Sequence, residues 1–306
     1  MKFALFRAAW SMTSLVVGAL MMAGPTAVSA ADWLPKHYVV AEDSTSPDGR
    51  FALVIPGREA FDDDNPISIN YLADVKAHQL LGKIRNSDYI QGQNHRDLLV
   101  FWTPDSSRVL VNYEARFGFG QLMVLEPKGK DFAQAEIGNV VQIALDAVTT
   151  KQAKGEKLAA NGELFSRWLP DGKLRLRALG MTNPKQLEGV KTYYSYFEGT
   201  YDPQTQKWSG TQSRPITDHF DALGDLFRAP DFTSATYNDE KDRAKALDDQ
   251  LNSVYGALRS ILPADRFAQV KKEQIAWLKT RDAAGSTKEK CDLIEARIKA
   301  LQELAW

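Results

Sequence analysis

"FAQVKKEQIAWLKTRDAAG", Phe267–Gly285, decides how the C-terminal part of the chain is read. Phe267, Val270, Gln274, Trp277 and Arg281 follow at steps of three and four, which places all five side chains on one helical face. The stripe is apolar apart from Gln274 and Arg281. An unpaired guanidinium inside a seam is costly, so this helix needs polar partners on its neighbours.

The flanking segments supply neighbours with the same period. Upstream, "DEKDRAKALDDQLNSVYGALRSIL" places Leu247, Leu251, Val254, Leu258 and Ile261 on one face. Pro263 then opens the second helix, where its missing N–H costs nothing. Downstream, Ser286 and Glu289 have the spacing of a capping box, and Cys291, Ile294, Ile298, Leu301 and Ala305 share a face of a third helix. Short connections imply an antiparallel three-helix bundle over residues 239–306, after a linker at 218–238. Asp248, Asn252 and Tyr255 lie on one side of the first helix. A polar layer is expected in which Arg281 pairs with Asp248, and Gln274 meets Asn252 or Tyr255. Such a layer fixes helix register, as polar seam residues do in coiled coils.

From residue 33 to 217 the period changes to that of strands. "STSPDGRFALVIP" from Ser44, "VFWTPDSSRVLVNYE" from Val100 and "FSRWLPDGKLRLRALG" from Phe165 share a Pro-Asp pair, a small residue, a base and then alternation. Pro presets the turn and Asp bonds the backbone beyond it, so each segment predicts a tight turn entering a half-buried strand. Trp102 and Trp168 stand two positions before the proline in two of the three, and read as pillars of the sheet core. "DPQTQ" predicts a further hairpin turn, "FGFGQ" a bulge or hairpin, and the stretch from Glu136 to Lys157 a short helix between strands. The fold class expected is α+β in two domains. An all-β antiparallel domain, either a partial propeller or sandwich-like, precedes the helical bundle.

Lys2 and Arg7, the apolar run Leu15–Ala23 and the small residues near Ala30 predict a secretory signal peptide over residues 1–30. Its removal takes the formal charge from −1 to −3 and leads to a periplasmic location, with no membrane association after cleavage. A mildly acidic chain argues against nucleic acid as a partner. Cys291 is the single cysteine, so packing rather than a disulfide must hold the exported fold.

Two local resemblances can now be stated. The Trp-x-Pro-Asp-Gly hairpins resemble those of TolB-type β-propeller blades, over about fifteen residues per copy. The C-terminal pattern of Asp248, Leu251, Asn252, Tyr255, Gln274, Trp277, Leu278, Arg281 and Asp282 resembles the LprI-type lysozyme-inhibitor domain, over about Tyr237 to Leu304. This second resemblance implies a non-catalytic binder whose partner is a cationic lysozyme. It also implies helix-stapling cysteines, of which this chain keeps one candidate, Cys291, with Gly285 near where another is expected.

Residue by residue, the chemistry expected is binding. His37, His78, His95 and His219 are scattered without metal-ligand spacing, and neither a nucleophile elbow nor a P-loop occurs. No catalytic residue, metal or cofactor is assigned. Cys291 reads as a core thiol. "FDDDNP" reads as a solvated turn, with calcium as the competing ligand reading. Its Asp62, Asp63 and Asp64 suit contact with a cationic partner, as do Arg281 and the outward-placed Asp282. The competing function is an envelope scaffold that binds another periplasmic protein through its β domain.

Overall fold

The computed structural model describes residues 33–62, 69–94, 96–115, 118–154, 160–183, 187–216, 220–228, 232, 237 and 239–306. The chain divides after Thr217 into two compact units. The first holds three four-stranded antiparallel sheets, each built from consecutive strands. β1 (Tyr38–Val40), β2 (Phe51–Pro56), β3 (Tyr71–Asp74) and β4 (Gln79–Lys83) form the first sheet. The second contains β5 (Asp97–Trp102), β6 (Val109–Ala115), β7 (Gly118–Lys128) and β8 (Asp131–Glu136). α1 (Gly138–Gln152) leads to the third, β9 (Ala160–Trp168), β10 (Leu174–Thr182), β11 (Tyr194–Asp202) and β12 (Lys207–Ile216).

The central strands of the second sheet, β6 and β7, are buried on both faces. Val109, Val111, Tyr113, Met123 and Leu125 pack with Phe51, Leu53, Ile55 and Leu72 of the first sheet. Their alternates Leu110, Leu122 and Val124 pack with α1 and with Leu174, Leu176 and Phe197 of the third. The sheets therefore stack face to face, and strand alternation feeds two cores at once. α1 lies close on β7: a Cβ added to Gly138 would stand 2.9 Å from the Leu122 amide nitrogen.

The Pro-Asp turns join the stack by a repeated latch. The indole N–H of Trp102 donates to the Ser44 carbonyl at 2.8 Å, and that of Trp168 donates to the Phe101 carbonyl at 2.8 Å. In each pair the donor stands two residues before its own proline, and the acceptor three before the proline of the preceding turn. Thr45 occupies the tryptophan position in the first turn, and the first sheet has no preceding sheet among the described residues. The turns need left-handed backbone at Gly49, Ser106 and Gly172, with φ of 69°, 60° and 75°. Ser106 bears that conformation while its hydroxyl accepts the Asp48 N–H at 3.1 Å. The tryptophans are thus ties between sheets as well as core pillars.

Other turns follow their chemistry. Asp202 Oδ1 accepts the Gln204 N–H at 2.9 Å in the β11–β12 hairpin, while Gly118, Phe119, Gly120 and Gln121 of the FGFGQ stretch lie in β7, whose pairing with β6 shifts register at Tyr113/Glu114.

The second unit contains α2 (Phe220–Phe227), α3 (Glu240–Ile261), α4 (Ala264–Asp282) and α5 (Thr287–Leu304). Two details correct the sequence expectation. α2 occupies eight residues of the stretch read as linker, because the Gln302 side chain donates to the Asp225 and Arg228 carbonyls at 2.8 and 2.9 Å. Those bonds satisfy carbonyls that a helix end leaves open. Pro263 sits at the N-cap rather than inside the helix, with ψ of 148°. Asp239 caps α3 by accepting from the Lys241 and Asp242 N–H groups. Ser286 caps α5 through the Glu289 N–H, while Glu289 reaches back to the Gly285 N–H at 2.8 Å. Cys291, Ile294, Ile298 and Leu301 are fully buried on α5, beside Leu247, Leu251, Val254 and Leu258 of α3 as buried faces of the same unit. Trp306 meets Phe227 edge to face, 5.9 Å between ring centres.

Candidate partner-binding site

α4 differs from its neighbours because it buries only Val270 and Gln274. Polar side chains must therefore fix it. At its C-terminal end Arg281 Nη1 donates to Asp248 Oδ1 of α3 at 2.8 Å. Arg281 Nε and Nη2 both donate to Asp282 Oδ1, at 2.9 and 2.8 Å. Lys290 of α5 reaches the other oxygen of Asp248 at 3.6 Å, and the Arg281 guanidinium lies 5.8 Å from the centre of the Trp277 ring. Two acids and two bases thus close a compact cluster that touches all three helices. Arg281 is 19% exposed and Asp282 61%, so the guanidinium is the anchor and Asp282 the outer edge. A shallow depression beside them is lined by Arg281, Asp282, Ala284, Ser286, Thr287 and Lys290.

Towards the other end of α4 the expected pairing is corrected. Gln274 Oε1 accepts Arg297 Nε of α5 at 2.8 Å, while Asn252 is exposed and Tyr255 packs its ring on Phe267 at 5.3 Å. The amide turns to α5 because a cationic donor there makes the stronger, charge-assisted bond. Arg297 Nη2 is buried without a hydrogen-bond partner, and desolvation pushes the guanidinium pKa down from its usual range. Arg243 of α3 donates to Glu295 of α5 at 2.6 Å, which ties the outer pair directly.

The remaining candidate residues belong to other stretches of the sequence. Asp62 stands in the 3-10 turn Arg58–Asp62, while Asp63 and Asp64 lie outside the described residues, as do His95 and His219. His37 contacts Glu59 at 3.3 Å and His78 stacks on Trp33. Burial pushes the Cys291 thiol pKa up, consistent with a core thiol. Among the described residues no three His, Cys, Asp or Glu side chains could hold a metal ion together. Nor is any described helix long and apolar enough to cross a membrane. Sequence reading missed Arg297 and Gln302. Both flank the apolar stripe of α5, and a long polar side chain bordering a seam was the available signal.

Comparison with known families places one match on this unit. The family model described as Lysozyme inhibitor LprI matches residues 233–301, which include α3 and α4 and most of α5. A comparison with curated proteins gives no match.

Proposed function

We propose that this chain is an exported, non-catalytic binding protein that shields the cell envelope by occluding a cationic lysozyme. The observation that carries the reading is the LprI match over residues 233–301, joined to the cluster that Arg281 makes with Asp248 and Asp282. Residues 1–30 act as a signal peptide, so the working location is the periplasm. α3, α4 and α5 serve as the antiparallel three-helix binding module, and the stacked sheets as blades of a partial propeller. Asp282 and Arg281 form the contact edge, with Asp62, Asp63 and Asp64 as a second acidic contact for a basic enzyme surface. Lysozyme works with two carboxylates in a cleft, and a bound module that covers the cleft stops hydrolysis without chemistry of its own. The test is lysis of peptidoglycan by several lysozyme types with and without the purified mature protein. Inhibition near equimolar ratio is expected, and full lysis at tenfold excess for every type removes the reading.

A second reading has its own support. Val140 and Ile143 on α1, and Leu187 and Val190 in the β10–β11 connection, are exposed by 39%, 66%, 56% and 43%. Exposed apolar side chains of this kind suit a protein partner, as expected of an envelope scaffold acting through its β domain. Replacing Ile143 and Leu187 by Ser distinguishes the two: the scaffold loses its periplasmic partner, whereas the inhibitor keeps its effect on lysozyme.

A further inference from the structure

The outward side of α4 carries a feature that the Arg281 cluster does not use. Ile275 stands one residue past Gln274, about 100° round the helix from it. It is 53% exposed, and among the described residues of the helical unit it is the one large apolar side chain left in solvent. Lys271 and Lys272 stand four and three residues before it and Lys279 four after, so the three surround it on the helix surface. All three are exposed, and among the described residues none makes an ion pair or a hydrogen bond. The sequence withholds their partners. The single acid three or four positions from any of them is Asp282, which already accepts two bonds from Arg281. Glu273 is held by Gln269. Elsewhere in the unit cations do find acids: Lys288 meets Asp292, and Arg243 meets Glu240 and Glu295.

Three unpaired ammonium groups repel one another, and the isoleucine between them leaves apolar surface in water. A partner offsets both by setting carboxylates against the lysines and an apolar side chain on Ile275. Ala268 and Ala276, exposed beside it, are small enough to admit a second helix closely. We propose that the outer face of α4 is a further binding surface, and that it takes an acidic helical segment of another protein, one that carries an apolar side chain between carboxylates. A second copy of α4 would set lysine against lysine. A lipid surface would gain one isoleucine and two alanines, where interfacial binding needs a broad apolar face. A cationic lysozyme is repelled here, so this surface is additional to the contact edge at Asp282.

The mature protein, labelled with nitrogen-15, is titrated with a synthetic helical peptide that carries one Leu, with Glu four and three residues before it and four after. A control peptide has Ala in place of that Leu. Amide shifts concentrated on residues 268–279 are expected, with the control binding about tenfold more weakly. Ile275→Ser should weaken the Leu peptide by a similar factor, and changing Lys271, Lys272 and Lys279 together to Gln should remove most of the salt dependence of binding. Equal affinity for the two peptides, or no loss on Ile275→Ser, leaves charge attraction alone and overturns the proposal. So does the appearance of the same shifts with phosphatidylglycerol vesicles, or on concentrating the protein by itself. The comparison of the two peptides uses the wild-type chain and needs no variant.

Discussion

The two units hold their layers in register by different means. In the β unit, tryptophan side chains donate to main-chain carbonyls of the preceding Pro-Asp segment, at Ser44 and at Phe101 of β5. In the helical unit, side chain meets side chain, as Arg281 with Asp248 and Gln274 with Arg297. The reason lies in the elements. Main-chain carbonyls are offered by the loop at Ser44 and by the edge strand β5 at Phe101, so one N–H on a rigid ring finds an acceptor whatever the side chain there. A helix consumes its own backbone groups, so α4, which buries little, must be tied through charged side chains. A latch to the backbone tolerates changes in the partner's side chain, whereas a side-chain lock fails if either member changes.

The largest effect should come from the β unit. Trp168→Ala removes an indole that packs in the core between the second and third sheets, together with its bond to Phe101. A loss of about 3–5 kcal/mol is expected in chemical denaturation. Trp168→Phe separates the two contributions by retaining an aromatic ring and removing only the indole donor, for about 1–2 kcal/mol. Equal losses for Ala and Phe would mean that the latch, not packing, dominates. Changing the acceptor residue, Phe101, to Leu should leave the indole bond intact, since the acceptor is backbone.

The helical lock offers the contrasting case. Gln274→Leu takes away the hydrogen-bond acceptor of Arg297, whose Nη2 already has none. The expected cost is about 1–3 kcal/mol, because a half-buried cation loses its partner. Arg297→Met in the same chain should recover most of it, as both polar groups are then gone. A double-mutant cycle on thermal or urea unfolding measures the coupling, and strict additivity would dissolve the proposed lock.

What could be read in advance follows the same division. The faces of α3 and α5 were legible because Leu247, Leu251, Ile294 and Ile298 repeat at the helical period, and all four are buried. The Pro-Asp turns were legible from local chemistry, with their glycines in left-handed backbone. Stacking order was not, since alternation shows that a strand has an inside without naming the sheet opposite. The tryptophan offset did hold a clue to it, in its recurrence at Trp102 and Trp168 and its replacement by Thr45. Within the candidate site, opposite charges on facing seams made Arg281 and Asp248 readable as partners. Gln274 was assigned to α3 because periodicity records faces and not distances, and Arg297 sits beside the α5 seam rather than in it. α2 escaped notice because its hold is Gln302, 77 residues beyond Asp225.

The smallest stability effect should fall on Asp282, and its smallness is informative. Arg281 has two carboxylate partners, Asp248 at 28% and Asp282 at 61% side-chain exposure. Removing Asp248 breaks a tie between helices, and Asp248→Ala should cost about 1–2 kcal/mol. Asp282 neighbours Arg281 in the same helix, so Asp282→Ala joins no fewer elements and should change stability by less than about 0.5 kcal/mol. If Asp282 meets a cationic lysozyme, the same variant should slow association, with a deficit that shrinks as salt is added. Stopped-flow binding at two ionic strengths, beside a denaturation curve, reads both quantities. A variant equally stable and equally fast would leave Asp282 as solvent-facing support for Arg281, and would move the contact edge elsewhere on the helical unit.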